Sequence, residues 1–183
     1  MLEFHDSYIA CICEGASEVT VMDILLDRGL LLFGRNQLLG ESVLSSKFFR
    51  DPKLFCRKYL TMDYEGKRIV VLLVQDRKNT SYGIKRPYLE KVSEFVYVIT
   101  APEIEMLMIH SLGFYNDYKK QASKKKPSTY LAEKIKKRSS AIKSRTFIEE
   151  FYEEHDLVNA IREHRKKSQK LDKGIFLADI LTN

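Results

Sequence analysis

Acidic residues placed just after apolar runs are the feature of this sequence best suited to chemistry. The run Tyr8-Ile9-Ala10-Cys11-Ile12-Cys13 ends in Glu14-Gly15, with Glu18 close behind. Asp76 follows the run 69–74, and Glu103 and Glu105 follow the run 95–99. In an open α/β sheet, ligands bind outside the carboxyl ends of the strands, so these acids are candidates for one shared site. Carboxylate oxygens are the ligands Mg²⁺ takes, and two such ions about 4 Å apart stabilise the attacking and leaving oxygens in phosphodiester cleavage. Each acid also has a plainer role open to it. Glu14 and Glu18 suit a helix start, where the helix dipole favours acids; Asp76 suits a turn. Glu103 and Glu105 suit the first turn of a helix, and for Glu103 that role is preferred.

The elements that would position these residues alternate. Residues 8–13 are too short for an independent helix and are expected to form a buried strand. From about Ser17, Val19, Met22, Ile24, Leu25 and Leu26 support a helix ending near Arg28-Gly29, where glycine supplies a left-handed cap. Leu30 to Phe33 are a candidate second short strand, and 34–40 a loop. A helix over 48–60 begins near Asp51-Pro52, a capping residue followed by a first-turn proline. Ile69-Val70-Val71-Leu72-Leu73-Val74 reads as a strand buried on both faces, as in a parallel sheet. A short helix over 88–93, a strand over 95–99 and a helix starting at 100–103 and ending near Gly113 continue the alternation, which favours an α/β crossover sheet. The C-terminal third is expected to be helical, with Ile175, Phe176, Leu177, Ile180 and Leu181 docking the tail on the body.

The stretch Ile12-Cys13-Glu14-Gly15-Ala16-Ser17-Glu18 resembles the opening motif of TOPRIM (topoisomerase-primase) domains, in which a strand ends in Glu-Gly and a helix follows. A second acid three residues beyond the glycine is similar to the TOPRIM nucleases of the overcoming-lysogenization-defect class and related small bacterial defence proteins. The next motif of that family is a strand ending in Asp-x-Asp, and Val74-Gln75-Asp76-Arg77-Lys78 occupies its place. If Asp76 stands for the first aspartate, Lys78 replaces the second; if it stands for the second, Val74 replaces the first. Either alignment removes one family ligand and leaves a one-metal or a degenerate site open. Pro102-Glu103-Ile104-Glu105-Met106-Leu107 looks like the acidic helix that follows the core in several of these nucleases.

The resemblance covers roughly residues 7 to 115. It implies a TOPRIM-like, Rossmann-like α/β fold, with a mostly parallel sheet flanked by helices over 1–115 and a basic helical extension over 116–183 packed on it. It further implies a Mg²⁺- or Mn²⁺-dependent nuclease acting on DNA or RNA, with a place in phage defence and an ATPase partner. Glu14, Glu18, Asp76 and Lys78 would be catalytic, and Glu14, Glu18, Asp76 and Glu105 would hold the metal. Lys78 would then neutralise a scissile phosphate where the family has an acid; as surface charge it would do nothing of the kind. The alternative is a degenerate TOPRIM-like module that binds nucleic acid or a partner without cleaving.

Charge distribution points the same way as the acids. The 183-residue chain is 44% apolar and 31% charged, ordinary for a globular fold, and carries a net charge of +6. Between Lys119 and Arg145 eleven Lys or Arg face a single acid, Glu133, a local net of +10 that leaves the remainder at −4. Lys119, Lys120, Lys124, Lys125, Lys126, Lys134, Lys136, Lys137 and Arg138 are therefore candidates to hold a nucleic-acid backbone without reading its sequence, with salt-sensitive affinity. Tyr115, Tyr118 and Tyr130 are candidates either for stacking on bases or for the core. Cys11, Cys13 and Cys56 lack zinc-finger spacing and read as reduced, buried thiols. No histidine has ligand spacing, and no P-loop, dinucleotide-binding glycine fingerprint or nucleophile elbow is present. With Glu3, His5 and Asp6 where a signal peptide would be basic, and no apolar run of membrane-spanning length, a cytoplasmic location is expected.

Overall fold

The two β-branched, apolar runs build the centre of the molecule. In the computed structural model, which describes residues 4–76, 81–168 and 174–182, β1 (Ser7–Cys13) pairs in parallel with β2 (Arg68–Gln75), with Cys13 opposite Val74. Parallel pairing continues to β3 (Val92–Ile99) and then to the two-residue β4 (Ile175–Phe176), giving the order β1-β2-β3-β4. The chain is thus an α/β protein with a four-stranded parallel sheet flanked by helices. Residues 38–44 run along the outer side of β1, where the N–H groups of Cys13 and Leu44 donate to the carbonyls of Leu44 and Cys11 at 2.9 and 2.7 Å. That contact covers backbone groups an edge strand would otherwise expose.

Alternation along the strands feeds two hydrophobic layers. Ile9, Cys11, Cys13, Val70, Leu72, Val74, Val96 and Val98 face the larger one. It is built from α1 (Ala16–Asp27), α4 (Met106–Ser111), α6 (Pro127–Lys134), α8 (Arg145–Glu154) and α9 (Leu157–Ser168). Ala10, Ile12, Ile69, Val71 and Leu73 face the other, covered by Phe55, Tyr59, Leu60 and neighbours from α2 (Ser46–Arg50), α3 (Pro52–Phe55) and the π-turn Cys56–Leu60. Asp51 caps α3 by accepting from the Leu54 N–H at 2.9 Å, as its sequence position predicts. The three cysteines are free and buried. No helix among the described residues is long and apolar enough to cross a membrane.

Three local expectations need correction. Leu30 to Phe33 do not form a strand of the sheet. Gly29 turns the chain at φ +64°, and only Leu31 pairs, antiparallel, with Leu181 of the tail. The helix expected from 100–103 begins at Met106, because the Thr100 N–H bonds back to the Gln75 carbonyl at 2.8 Å and the chain must first turn across the strand ends. The tail does dock, but partly as a strand: Ile175 and Phe176 extend the sheet beside Val98 and Ile99. Residues of 1–115 and 116–183 share one hydrophobic core. The basic stretch folds as α5 (Tyr115–Lys119), α6 and α7 (Ser139–Ile142) with loops between them.

Leu72 is fully buried at the middle of β2, in the larger layer. Leu72→Ala is expected to destabilise the fold by about 2–5 kcal/mol, measured by urea denaturation; a cost below about 1 kcal/mol would contradict a central, close-packed β2.

Candidate functional site

Glu14, Glu18, Asp76 and Glu105, singled out in the sequence, line one open cleft of about 210 Å³ together with Gly15, Ser17, Glu103 and Lys143. The strand pairing brings the first of them together. Glu14 continues the ladder one residue past β1, its N–H donating to the Val74 carbonyl at 2.9 Å. Its Oε2 accepts from the Asp76 N–H at 3.1 Å, bridging the ends of β1 and β2. Glu18 lies in the first turn of α1 and is 9% exposed. The Gly15 backbone is ordinary extended chain, with φ −134°. What the position requires is space: a Cβ there would sit 2.6 Å from Glu18 Oε2. The missing side chain lets the Glu18 carboxylate fold back over the start of its helix.

Glu105, at the N-cap position of α4, is 2% exposed and accepts from Ser17 Oγ at 2.9 Å, which ties the starts of α1 and α4 together. Glu103 lies in the preceding turn instead of in the first turn of the helix. Its Oε2 accepts from the Ser128 N–H at 2.9 Å, so it caps α6 from a distance, a service the N-cap residue Lys126 does not provide with its own side chain. Lys143 Nζ stands 3.8 Å from Oε1 of both Glu103 and Glu105. Lys143, Ser17 and Glu103 are the site residues that sequence reasoning passed over or set aside. Lys143 was indistinguishable within a run of basic residues, and the roles of Ser17 and Glu103 depend on partners 88 and 25 residues away.

Burial and crowding of like charges set the protonation of this cleft. The Glu18 carboxyl is pushed from its ordinary 4.5 to about 7, chiefly by burial and then by the charges of Glu105 and Glu14, with Lys143 opposing. Glu105 is also raised, again chiefly by burial, while Lys143 and the Ser17 hydroxyl favour its ionised form. Near neutral pH Glu18 is thus divided between acid and carboxylate, the condition in which a side chain best exchanges protons with a reactant. The carboxylate oxygens are the donor type a hard divalent ion takes. Among the described residues, however, no three or more His, Cys, Asp or Glu side chains are grouped so as to hold a metal ion.

The basic candidates divide. Lys124, Lys125 and Lys126 line a groove of about 400 Å³ that also includes Asp76 and Glu103, so this groove adjoins the acidic cleft. Lys119, at the end of α5, lines a separate cavity, and Lys120 is exposed beside it. Lys134 pairs with Asp117 at 2.7 Å, and Lys137 lies over the Phe147 ring, 5.3 Å from its centroid. Lys136, Lys137 and Arg138 are exposed between α6 and α7 and line neither the cleft nor the groove. Lys78 lies outside the described residues. Tyr130 is buried in the core. The fold and cleft define a parallel α/β protein with an acidic site at the carboxyl ends of its strands. No family model matches the sequence, and neither a curated protein nor a solved structure matches it.

The raised Glu18 pKa carries a sign that experiment can read. The folded protein retains a proton that the unfolded chain releases, so stability falls as pH rises from about 4.5 through about 7 and stays lower above that. Glu18→Gln removes the penalty. It is expected to stabilise the protein at about pH 8 by on the order of 2–3 kcal/mol, with the gain shrinking toward pH 5. A stability difference independent of pH in thermal melts would contradict this.

Proposed function

We propose that this chain is a TOPRIM-like, divalent-metal-dependent nuclease domain that cleaves phosphodiester bonds in DNA or RNA. One observation carries the proposal: the acidic cleft opens beside the groove of Lys124, Lys125 and Lys126, and the two share Asp76 and Glu103. A polyanion held by the lysines would bring its phosphates to the carboxylates, a pairing that neither group alone would favour.

Glu14, Glu18 and Asp76 would hold Mg²⁺ or Mn²⁺, with Glu105 as a further ligand. The ion would supply charge neutralisation at a phosphate and activation of water. The chain's own residues do the rest. Lys124, Lys125 and Lys126 hold the backbone. Glu14 fixes the end of β2 through the Asp76 N–H, which sets where Asp76 stands. An ATPase partner and a role in phage defence belong to this proposal through the family resemblance alone.

A second reading is favoured by Lys143, whose ammonium already offsets Glu103 and Glu105. In it the module binds nucleic acid or a partner without cleaving. The two readings separate in a cleavage assay on single- and double-stranded DNA and RNA with Mg²⁺ or Mn²⁺ against EDTA, with candidate ATPases added. The nuclease reading expects metal-dependent cutting that Glu14→Gln lowers at least about 100-fold, the loss of several kcal/mol of transition-state stabilisation. Equal cutting by Glu14→Gln would remove the site from the chemistry. Absence of cutting by the wild type, with no shift of its melting temperature by Mn²⁺, would leave the binding module.

A further inference from the structure

A second cavity, of about 480 Å³, lies beyond the lysine groove and shares Pro102, Tyr118 and Ala122 with it. Its volume falls within the roughly 300–1,000 Å³ range of small-ligand sites. Met106, Tyr115, Tyr118, His164 and Phe176 form its walls, and the exposed Lys119 and Lys167 also line it. The cavity is therefore apolar and aromatic within and cationic at its mouth.

The aromatic walls are held in place. The Tyr118 ring meets Tyr130 edge-on with centroids 5.2 Å apart, and its hydroxyl donates to the Lys125 carbonyl at 3.3 Å. One side chain thus forms a wall of the cavity and anchors the lysine loop. Tyr115 stacks on His110 at 4.8 Å, with Lys167 Nζ 5.7 Å from its centroid. His164 is 7% exposed. Its Nδ1 stands 3.4 Å from His110 Nε2, and its Nε2 has no hydrogen-bond partner among the described residues. Burial lowers both histidines to about 4, most strongly through desolvation, so at neutral pH each ring is uncharged; the Ala101 backbone opposes this at His164.

We infer that this cavity seats an unstacked base of a single-stranded nucleic acid whose backbone runs over Lys124, Lys125 and Lys126 toward the acidic cleft. The inference rests on the nucleic-acid reading above and adds the strandedness of the substrate. Two features meet in the occupant: an aromatic ring for the walls, and phosphates for Lys119, Lys167 and the loop. A base paired within a duplex cannot enter, because it is stacked and its edge is engaged.

The test is fluorescence anisotropy in EDTA with a labelled oligonucleotide of about 12 nucleotides, single-stranded or annealed to its complement. Wild-type protein is expected to bind the single strand at least about 10-fold tighter than the duplex, as one stacked base allows. Ala122→Trp fills the passage from an exposed position that the lysine groove shares; it is expected to lower single-strand affinity about 10-fold and duplex affinity by clearly less, so that the single-strand preference shrinks. Replacing the bases with abasic spacers should cost the wild type a similar factor and Ala122→Trp little. Lys119→Glu provides a second variant at an exposed site and should also weaken single-strand binding, with folding of both variants checked by thermal melts. Equal affinity for single strand and duplex, or an unchanged Ala122→Trp, would overturn the inference. Because these measurements need no cleavage, strand preference without metal-dependent cutting would sink the nuclease reading alone. Cutting without strand preference would sink this one alone.

Discussion

Parallel pairing of β1 with β2 is the constraint on which the rest of the molecule depends. It carries two acids separated by 62 residues to the same edge of the sheet and sets Glu14 so that its carboxylate receives the Asp76 N–H. Parallel strands cannot be joined by a tight turn, so the chain must leave the sheet and return between them. The helices and loops of that excursion cover both faces of the strands, and burial at the start of its first helix is what chiefly raises Glu18. The chemistry of the cleft therefore follows from the same packing that stabilises the sheet.

The central sheet was legible because its strands are written as runs of apolar, largely β-branched residues that no other local structure accommodates as well. Glu14-Gly15 and Asp76 were legible as strand-following positions for the same reason. Other elements were not. β4 is two residues long, and nothing in Ile175-Phe176 distinguishes a strand from a docked tail until Val98 and Ile99 are seen beside it. Leu30 to Phe33 have a strand-like composition, yet after the turn at Gly29 their one backbone bridge among the described residues is to the returning tail.

The candidate site divides along the same line. Residues whose place follows from their own strand could be named, whereas residues placed by distant partners could not. Lys143 reaches Glu103 and Glu105 only because α7 and the following turn pack near the start of α4. Positive charge was visible as a run, but the fold disperses it: Lys124, Lys125 and Lys126 border the cleft, Lys134 serves Asp117, and Arg145 serves Asp23 and Glu149. A linear charge count sees the total and misses this division of labour.

Glu103 links two parts of the molecule that a designer would wish to vary separately. One of its oxygens holds the first turn of α6, and the other faces Lys143 in the cleft. The loop of Lys124, Lys125 and Lys126 leads directly into that helix. Transplanting the loop and helix into another scaffold without an acid at the Glu103 position would leave the helix start uncapped and the lysines differently aimed. The portable unit is consequently larger than the basic segment and includes the turn after β3.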